Sequence, residues 1–262
     1  MHVRKFGLLL TLLGALLFLA APAGAITMGQ NDGNLHPNVG ALIAEYDTPG
    51  VKDLLCTGTL ISPTVFLTAS HCTEFLPSVG VDPDEVWVTF DSSYDSGSTL
   101  IGGTYHTHPQ YGDSPDTHDI AVVVLDHAVA LTPATLPRLN ELGIRLGNKR
   151  LRGQRFTAVG YGTARDIKTG GPNAFYFDGV RRFATQSFHT LGKIWLRLNM
   201  NPSTGSGGTC YGDSGGPHFL GNTNKIVSIT ITGDTACRST DVTYRLDTRS
   251  ARAFMDDFVT LP

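Results

Sequence analysis

The hexapeptide Gly212-Asp213-Ser214-Gly215-Gly216-Pro217, two residues after Cys210, sets a serine in a turn that glycines leave open. A serine hydroxyl is a weak nucleophile at neutral pH. It needs a base within hydrogen-bond reach and donors for the negative charge that grows on an attacked carbonyl oxygen. Glycines beside it allow a sharp turn and a close approach of main chain to a substrate. A base is on offer in Leu67-Thr68-Ala69-Ser70-His71-Cys72, where an apolar strand ends in a histidine and the next residue is a cysteine able to pin it. An acid opens a buried strand in Thr117-His118-Asp119-Ile120-Ala121-Val122. Singly, a loop histidine or a strand-start aspartate is more often structural. Together, in the order His71, Asp119, Ser214, they supply an acid that orients a base and a base that deprotonates a hydroxyl.

Such groups must be held by a rigid scaffold, and strand signals dominate this chain. Residues 64–69, 86–90, 120–125, 155–161, 193–198, 225–230 and 242–246 are rich in β-branched, aromatic and aliphatic residues, with Gly, Pro, Asn and Asp clusters between them. The continuous apolar run Ile120–Leu125 suits a strand buried on both faces, and residues 91–98 read as a polar turn. One helix is expected at the end of the chain. Asp247 or Thr248 can cap it, and Ala251, Phe254, Met255, Phe258 and Val259 form an apolar stripe expected to dock on the second half of the protein. Residues 132–147, with two prolines and little strand pattern, read as the linker between halves. Charged residues make up only 16% and Gly numbers 30, which suits a turn-rich all-β fold and argues against disorder or a coiled coil.

Residues 1–25 have the anatomy of a secretory signal peptide: Arg4 and Lys5, an apolar run from Phe6 to Ala21, and the small-residue cleavage site Ala23-Gly24-Ala25. The run is shorter than the ~20 residues of a spanning helix. The mature protein is therefore expected to be exported (extracellular or periplasmic), free of the membrane and monomeric. Removing the two basic residues of the leader from a formal charge of −3 leaves −5. No basic cluster stands out beyond Arg181-Arg182, so no nucleic-acid partner is expected. Four cysteines, Cys56, Cys72, Cys210 and Cys237, suit two disulfides in an oxidising compartment, with three pairings open. There is no Cys-x-x-Cys pair for zinc, His106, His108 and His118 do not make a convincing metal set, and Asp91, Asp95, Asp113 and Asp116 form no calcium-loop motif. No metal and no cofactor are expected.

The three chemical segments resemble the chymotrypsin–trypsin family of serine proteases across essentially all of the mature chain. Ala69-Ser70-His71-Cys72 is similar to the family's Ala-Ala-His-Cys, Asp119-Ile120-Ala121 to its Asp-Ile-Ala, and residues 212–217 match its serine motif in full. Gly160-Tyr161-Gly162 resembles a family Gly-Trp-Gly. The resemblance implies an all-β fold of two packed six-stranded antiparallel Greek-key barrels with a C-terminal helix. Residues 26–140 would form the barrel carrying His71 and Asp119, and residues 141–262 the barrel carrying Ser214. It implies a secreted serine endopeptidase acting through an acyl-enzyme, with protein or peptide substrates and protein inhibitors as partners. The oxyanion hole would be the backbone N–H groups of Gly212 and Ser214. The implied disulfides are Cys56–Cys72 and Cys210–Cys237, each contributing roughly 3 kcal/mol by loop closure.

In the family a freed Ile-Val-Gly-Gly terminus pairs with the aspartate before the nucleophile. Here Ile26-Thr27-Met28-Gly29 follows Ala25, so removal of the leader alone is expected to release an Ile26 amine that pairs with Asp213. The specificity pocket maps to Gly208, Thr209, Ser228, Thr230 and Asp241. Gly208 stands where trypsin-type members carry an aspartate, Thr230 narrows a wall, and Asp241 is either an acid for Arg or Lys substrates or a solvated loop residue. Ser228 matches the family serine that supports the triad aspartate. Two rival functions are a protease-fold binding protein without catalysis, which would usually lack a triad member, and an α/β-hydrolase esterase, which would need the order Ser, Asp, His.

Overall fold

The computed structural model describes residues 26–112, 117–165 and 174–262; the leader 1–25, Asp113 and Asp116 lie outside the described residues. After a short strand β1 (Gln30–Asn31), six strands follow: β2 (Val39–Ala44), β3 (Asp53–Ser62), β4 (Val65–Thr68), β5 (Val86–Thr89), β6 (Ile101–Thr107) and β7 (Ala121–Leu125). β2 pairs with both β3 and β5, which closes the antiparallel ring β2-β3-β4-β7-β6-β5. Every residue of β2 and β4 is buried, as continuous Val, Leu, Ile and Phe runs require.

A helix α1 (Glu141–Gly147) leads to β8 (Arg155–Gly160), a small pair β9 (Ala164–Arg165) and β10 (Phe175–Tyr176), and then β11 (Arg182–Leu191), β12 (Trp195–Asn199), β13 (Pro217–Leu220), β14 (Ile226–Gly233) and β15 (Thr240–Arg245). The pairing β8–β11 closes the second six-stranded antiparallel barrel, β11-β12-β15-β14-β13-β8. The chain ends in α2 (Arg249–Asp256). The protein is thus all-β, with two closed barrels and a terminal helix.

Three local expectations change. The stretch read as linker, residues 132–147, ends in α1, because Asn140 N donates to Asp247 O and Leu142 N to an Asp247 carboxylate oxygen, both at 2.8 Å. Asp247 therefore anchors α1, and Thr248 alone caps α2, its hydroxyl accepting from Ala251 N at 3.2 Å. The stripe of α2 was expected on the second half of the protein. It shares a core cluster with Tyr244 and Leu246 of that half, and it also reaches across: Phe254 packs against His108 and Phe258 against His106, with ring centroids 5.0 and 5.1 Å apart, both on or beside β6 of the first barrel. The N-terminal segment crosses the other way: β1 pairs with β11, and Thr27 bridges to Gly208 in the second barrel. Each barrel is clasped by the far end of the chain.

Candidate active site

His71 sits in a single 3-10 turn (Ser70–Cys72) at the end of β4, where the Cys72–Cys56 disulfide ties it to β3. Its ring Nδ1 lies 2.8 Å from Asp119 Oδ2, and its backbone N–H donates to Asp119 Oδ1 at 2.9 Å. Both carboxylate oxygens thus face one residue, and Asp119 is only 1% exposed. With Nδ1–H directed at a carboxylate, the proton-free nitrogen is Nε2. Ser70, which departs from the alanine of the similar family motif, donates its hydroxyl to Ile120 O at 2.7 Å and accepts from His108 N at 3.1 Å. It stitches the histidine turn to the chain just after Asp119.

Ser214 lies in the turn between Cys210 and β13. Gly216 N donates to Asp213 O at 2.9 Å, and Gly215 N donates to Thr230 O at 2.8 Å. Gly215 has φ +76°, and a Cβ there would come within 2.2 Å of Thr68 Oγ1, so only glycine lets the turn press on the strand that carries His71. Gly212 has φ +93°. Among the described residues the N–H groups of Gly212 and Ser214 have no intramolecular acceptor, leaving two backbone donors beside the hydroxyl.

Thr57 joins the two barrels at this point. Its N–H donates to Ser214 O at 2.9 Å, its hydroxyl donates to Gly212 O at 3.0 Å, and its own Oγ1 accepts from Tyr161 N at 3.1 Å. Adjacent residues of β3 therefore hold the histidine turn, through Cys56, and the serine turn, through Thr57. No motif marked Thr57 in advance, because a threonine in a strand is ordinary. Among the described residues no hydrogen bond joins His71 to Ser214, and in substrate-free sites such contacts are commonly longer than in the reacting complex.

Asp213 is fully buried and accepts from Cys210 N at 2.8 Å and Gly162 N at 2.9 Å. Burial, above all, raises its pKa to about 7, with the Asp241 charge pushing the same way. It has no ion-pair partner among the described residues. Ile26, also fully buried, packs with Ala158 and Ala184, while Thr27 N donates to Gly208 O at 2.7 Å. Ile26 has φ +64°, an uncommon conformation for a β-branched residue.

A cavity of about 180 Å³ opens beside Ser214, lined by Thr209, the Cys210–Cys237 bridge and residues 231–235. A larger depression of about 820 Å³, between α1 and the start of α2, contains none of these groups and is remote from this chemistry. Of the five residues mapped to the pocket, Thr209 lines the cavity. Gly208, Ser228, Thr230 and Asp241 are not among its lining residues. Asp241 is neither an open pocket acid nor a solvated loop residue: it is fully buried, its Oδ2 lying 2.9 Å from His218 Nε2 and accepting from Gln186 Nε2 at 2.7 Å. Ser228 Oγ, expected beside Asp119, is buried with no hydrogen-bond partner among the described residues. Both disulfides have the implied pairing. Cys56, His71 and Cys72 bring ligand atoms within 4.8 Å of one another, but both sulfurs are in a disulfide and offer no thiolate. His108 stacks on His118 with centroids 4.6 Å apart, and burial, then the His118 charge, holds its pKa below the ordinary value. Among the described residues no helix is long and apolar enough to cross a membrane.

A profile of the family described as Trypsin matches residues 40–254. A trypsin of Saccharopolyspora erythraea is 27% identical over 228 residues, covering 80% of this chain and 88% of that protein. A chymotrypsin of Phaedon cochleariae is 28% identical over 197 residues, covering 73% and 67%. Among solved structures, HL collagenase superposes with a TM-score of 0.64 at 17% identity, covering 87% of this chain and 96% of its own, a likeness of fold.

Proposed function

The chain belongs to the trypsin family and is a serine endopeptidase, and we propose that it works through His71, Asp119 and Ser214 with a covalent acyl-enzyme. Ser214 Oγ attacks the scissile carbonyl carbon as its proton passes to His71 Nε2. The imidazolium then gives that proton to the leaving amine as the C–N bond breaks, leaving an ester on Ser214. Water, deprotonated by the same nitrogen, hydrolyses the ester and restores the hydroxyl. Asp119 holds the imidazole tautomer and stabilises its charged form. The N–H groups of Gly212 and Ser214 receive the oxyanion, and one such donor is typically worth ~3–4 kcal/mol. The observation that carries this reading is the double contact of Asp119 with His71, at ring and backbone alike. Replacing Ser214 by Ala is expected to lower kcat by about 10⁶ with KM little changed. Activity within tenfold of wild type would exclude the triad.

Residues 1–25 act in this reading as an export signal, placing the enzyme outside the cytoplasm as a monomer that meets protein substrates and protein inhibitors. Cleavage after Ala25 frees the Ile26 amine to pair with Asp213. In support, Ile26 is already buried, Asp213 has no ion-pair partner among the described residues, and the unusual φ of Ile26 exists only while Ala25 is attached. Losing one partner of such a pair costs about 3–5 kcal/mol. Intact mass of the processed protein tests this: a start at Ile26 is expected, and any other start rejects it.

A further inference from the structure

The wall beside Ser214 holds one acid, Asp234, and its carboxylate is already committed. Oδ1 accepts from the backbone N–H groups of Ser239 and Thr240 at 2.7 and 2.9 Å, and Oδ2 from that of Arg238 at 3.1 Å, closing the loop 234–240 on itself. The second acid of this region, Asp241, lies one layer further in, opposite Gly233 in the β14–β15 register, and is turned onto His218 and Gln186. Next to the cavity lining, Met200 packs against both Gly208 and Gly233. A Cβ on Gly208 would fall 2.4 Å from Met200 Cβ and 2.6 Å from both its sulfur and Gln186 Nε2, and one on Gly233 would fall 3.0 Å from Thr240 O and 3.6 Å from Met200 Cε. Met200, 1% exposed, forms one cluster with Cys210 and Cys237, two residues of the cavity wall.

We infer that the pocket for the substrate side chain preceding the cleaved bond takes an uncharged, apolar group of Leu, Met or Phe type, with Met200 as its floor and His218 holding Asp241 away from it. The inference rests on the proposed site at Ser214 and names its substrate class. An arginine or lysine there would bury a cation against a thioether and a disulfide, where the lining carboxylate of Asp234 is held by three backbone N–H groups and that of Asp241 is turned onto His218 and Gln186, and uncompensated burial of charge is strongly unfavourable. An apolar side chain meets sulfur and methyl surfaces that it can dehydrate at no such penalty.

The test uses peptide p-nitroanilides that differ only at the residue before the cleaved bond, with the active fraction fixed by fluorophosphonate titration. Leu, Met and Phe substrates are expected to exceed Arg and Lys by at least thirtyfold in kcat/KM; Arg or Lys as the best substrate overturns the inference. In Asp241→Asn and Asp234→Asn the ratio of Phe to Arg should stay within threefold of wild type. A selective loss of residual Arg and Lys cleavage in either variant would show its carboxylate reaching substrate, against the inference. Met200→Ala should deepen the pocket and raise the Phe to Leu ratio several-fold, and an unchanged ratio would remove Met200 from the floor. Binding of the corresponding product acids to Ser214→Ala, by calorimetry, should give the same order of side chains. That measurement needs no turnover, so it judges the pocket even where titration finds no reactive serine and the catalytic reading fails.

Discussion

Two buried acids, Asp32 and Asp241, sit in polar clusters that differ in how fully they are answered. Asp32 meets Arg181 and His36. Arg181, fully buried, sends Nε to Asp32 Oδ2 at 2.9 Å, Nη1 to Val39 O, Phe90 O and Tyr161 Oη, and Nη2 to Gly33 O and Asn34 Oδ1. His36 contacts the remaining Asp32 oxygen through its ring Nδ1. Around Asp241 the saturation stops: Asp241 Oδ1, His218 Nδ1 and Gln186 Oε1 are buried with no partner among the described residues. The first cluster ties the N-terminal segment and the first barrel to Arg181, just ahead of β11, and every member is needed by several others. The second joins β11, β13 and β15 behind the cavity and commits a carboxylate that would otherwise face substrate. A saturated network is a clamp, whereas a half-answered one is retained for what it keeps out of the pocket.

That contrast breaks most sharply at Arg181. Arg181→Met should lower stability by about 3–5 kcal/mol, since it strands the Asp32 charge and strips donors from the carbonyls of residues 33, 39 and 90. Urea unfolding in a Ser214→Ala background, free of autolysis, measures it, and a loss under 1 kcal/mol would mean that the clamp is not one. Removing both charges separates the clusters next. Asp32→Leu with Arg181→Met should still cost about 2 kcal/mol or more, because the carbonyls stay orphaned. His218→Leu with Asp241→Val should lie within about 1 kcal/mol of wild type, as apolar replacement of a buried pair commonly does. Equal costs for the two double variants would erase the distinction.

Smaller effects appear in pH dependence, with opposite signs for Asp32 and Asp213. Burial pushes the Asp32 carboxyl up, but the hydrogen bond from His36 and the charges of His36 and Arg181 outweigh it and hold its pKa below 3.8. Its contribution is therefore present above the unfolded value and lost as pH falls through the folded one. Asp213 is the reverse. Without a paired amine it holds a proton up to about 7, against 3.8 when unfolded, so a form that keeps Ala25 should lose stability as pH rises through that window. Urea midpoints against pH should show the acid-side loss flattened in Asp32→Asn. The neutral-side loss should disappear both in Asp213→Asn and once Ile26 is the first residue. A neutral-side loss that survives processing would separate Ile26 from Asp213.

The segments around His71, Asp119 and Ser214 were legible in the sequence because each is a contiguous run of specialised residues, and seven of the strands showed as apolar or β-branched runs. Strand β11 escaped notice because its buried Arg182, Ala184 and Gln186 alternate with less buried residues and two of the three are polar. Periodicity exposed the apolar stripe of α2 but not its contacts with the first barrel: a stripe says that a face is buried, and only the path of the chain says everything it meets. Thr57, His218 and Met200 carry no local signal at all. Their roles come from residues outside their own segments, Thr57 from Gly212 and Ser214, His218 from Asp241, Met200 from Gly208. Asp241 was visible as an acid near the pocket, and what the sequence could not convey was the histidine already holding it.

In the proposed mechanism Ser214 is a nucleophile made reactive by His71. A stoichiometric fluorophosphonate followed by peptide mass spectrometry tests it most directly. One adduct per chain is expected, on Ser214, absent from Ser214→Ala and slowed at least a thousandfold in folded His71→Ala. Rapid cleavage of peptide substrates by a protein whose Ser214 stays unlabelled, or labelling that does not depend on His71, would contradict it.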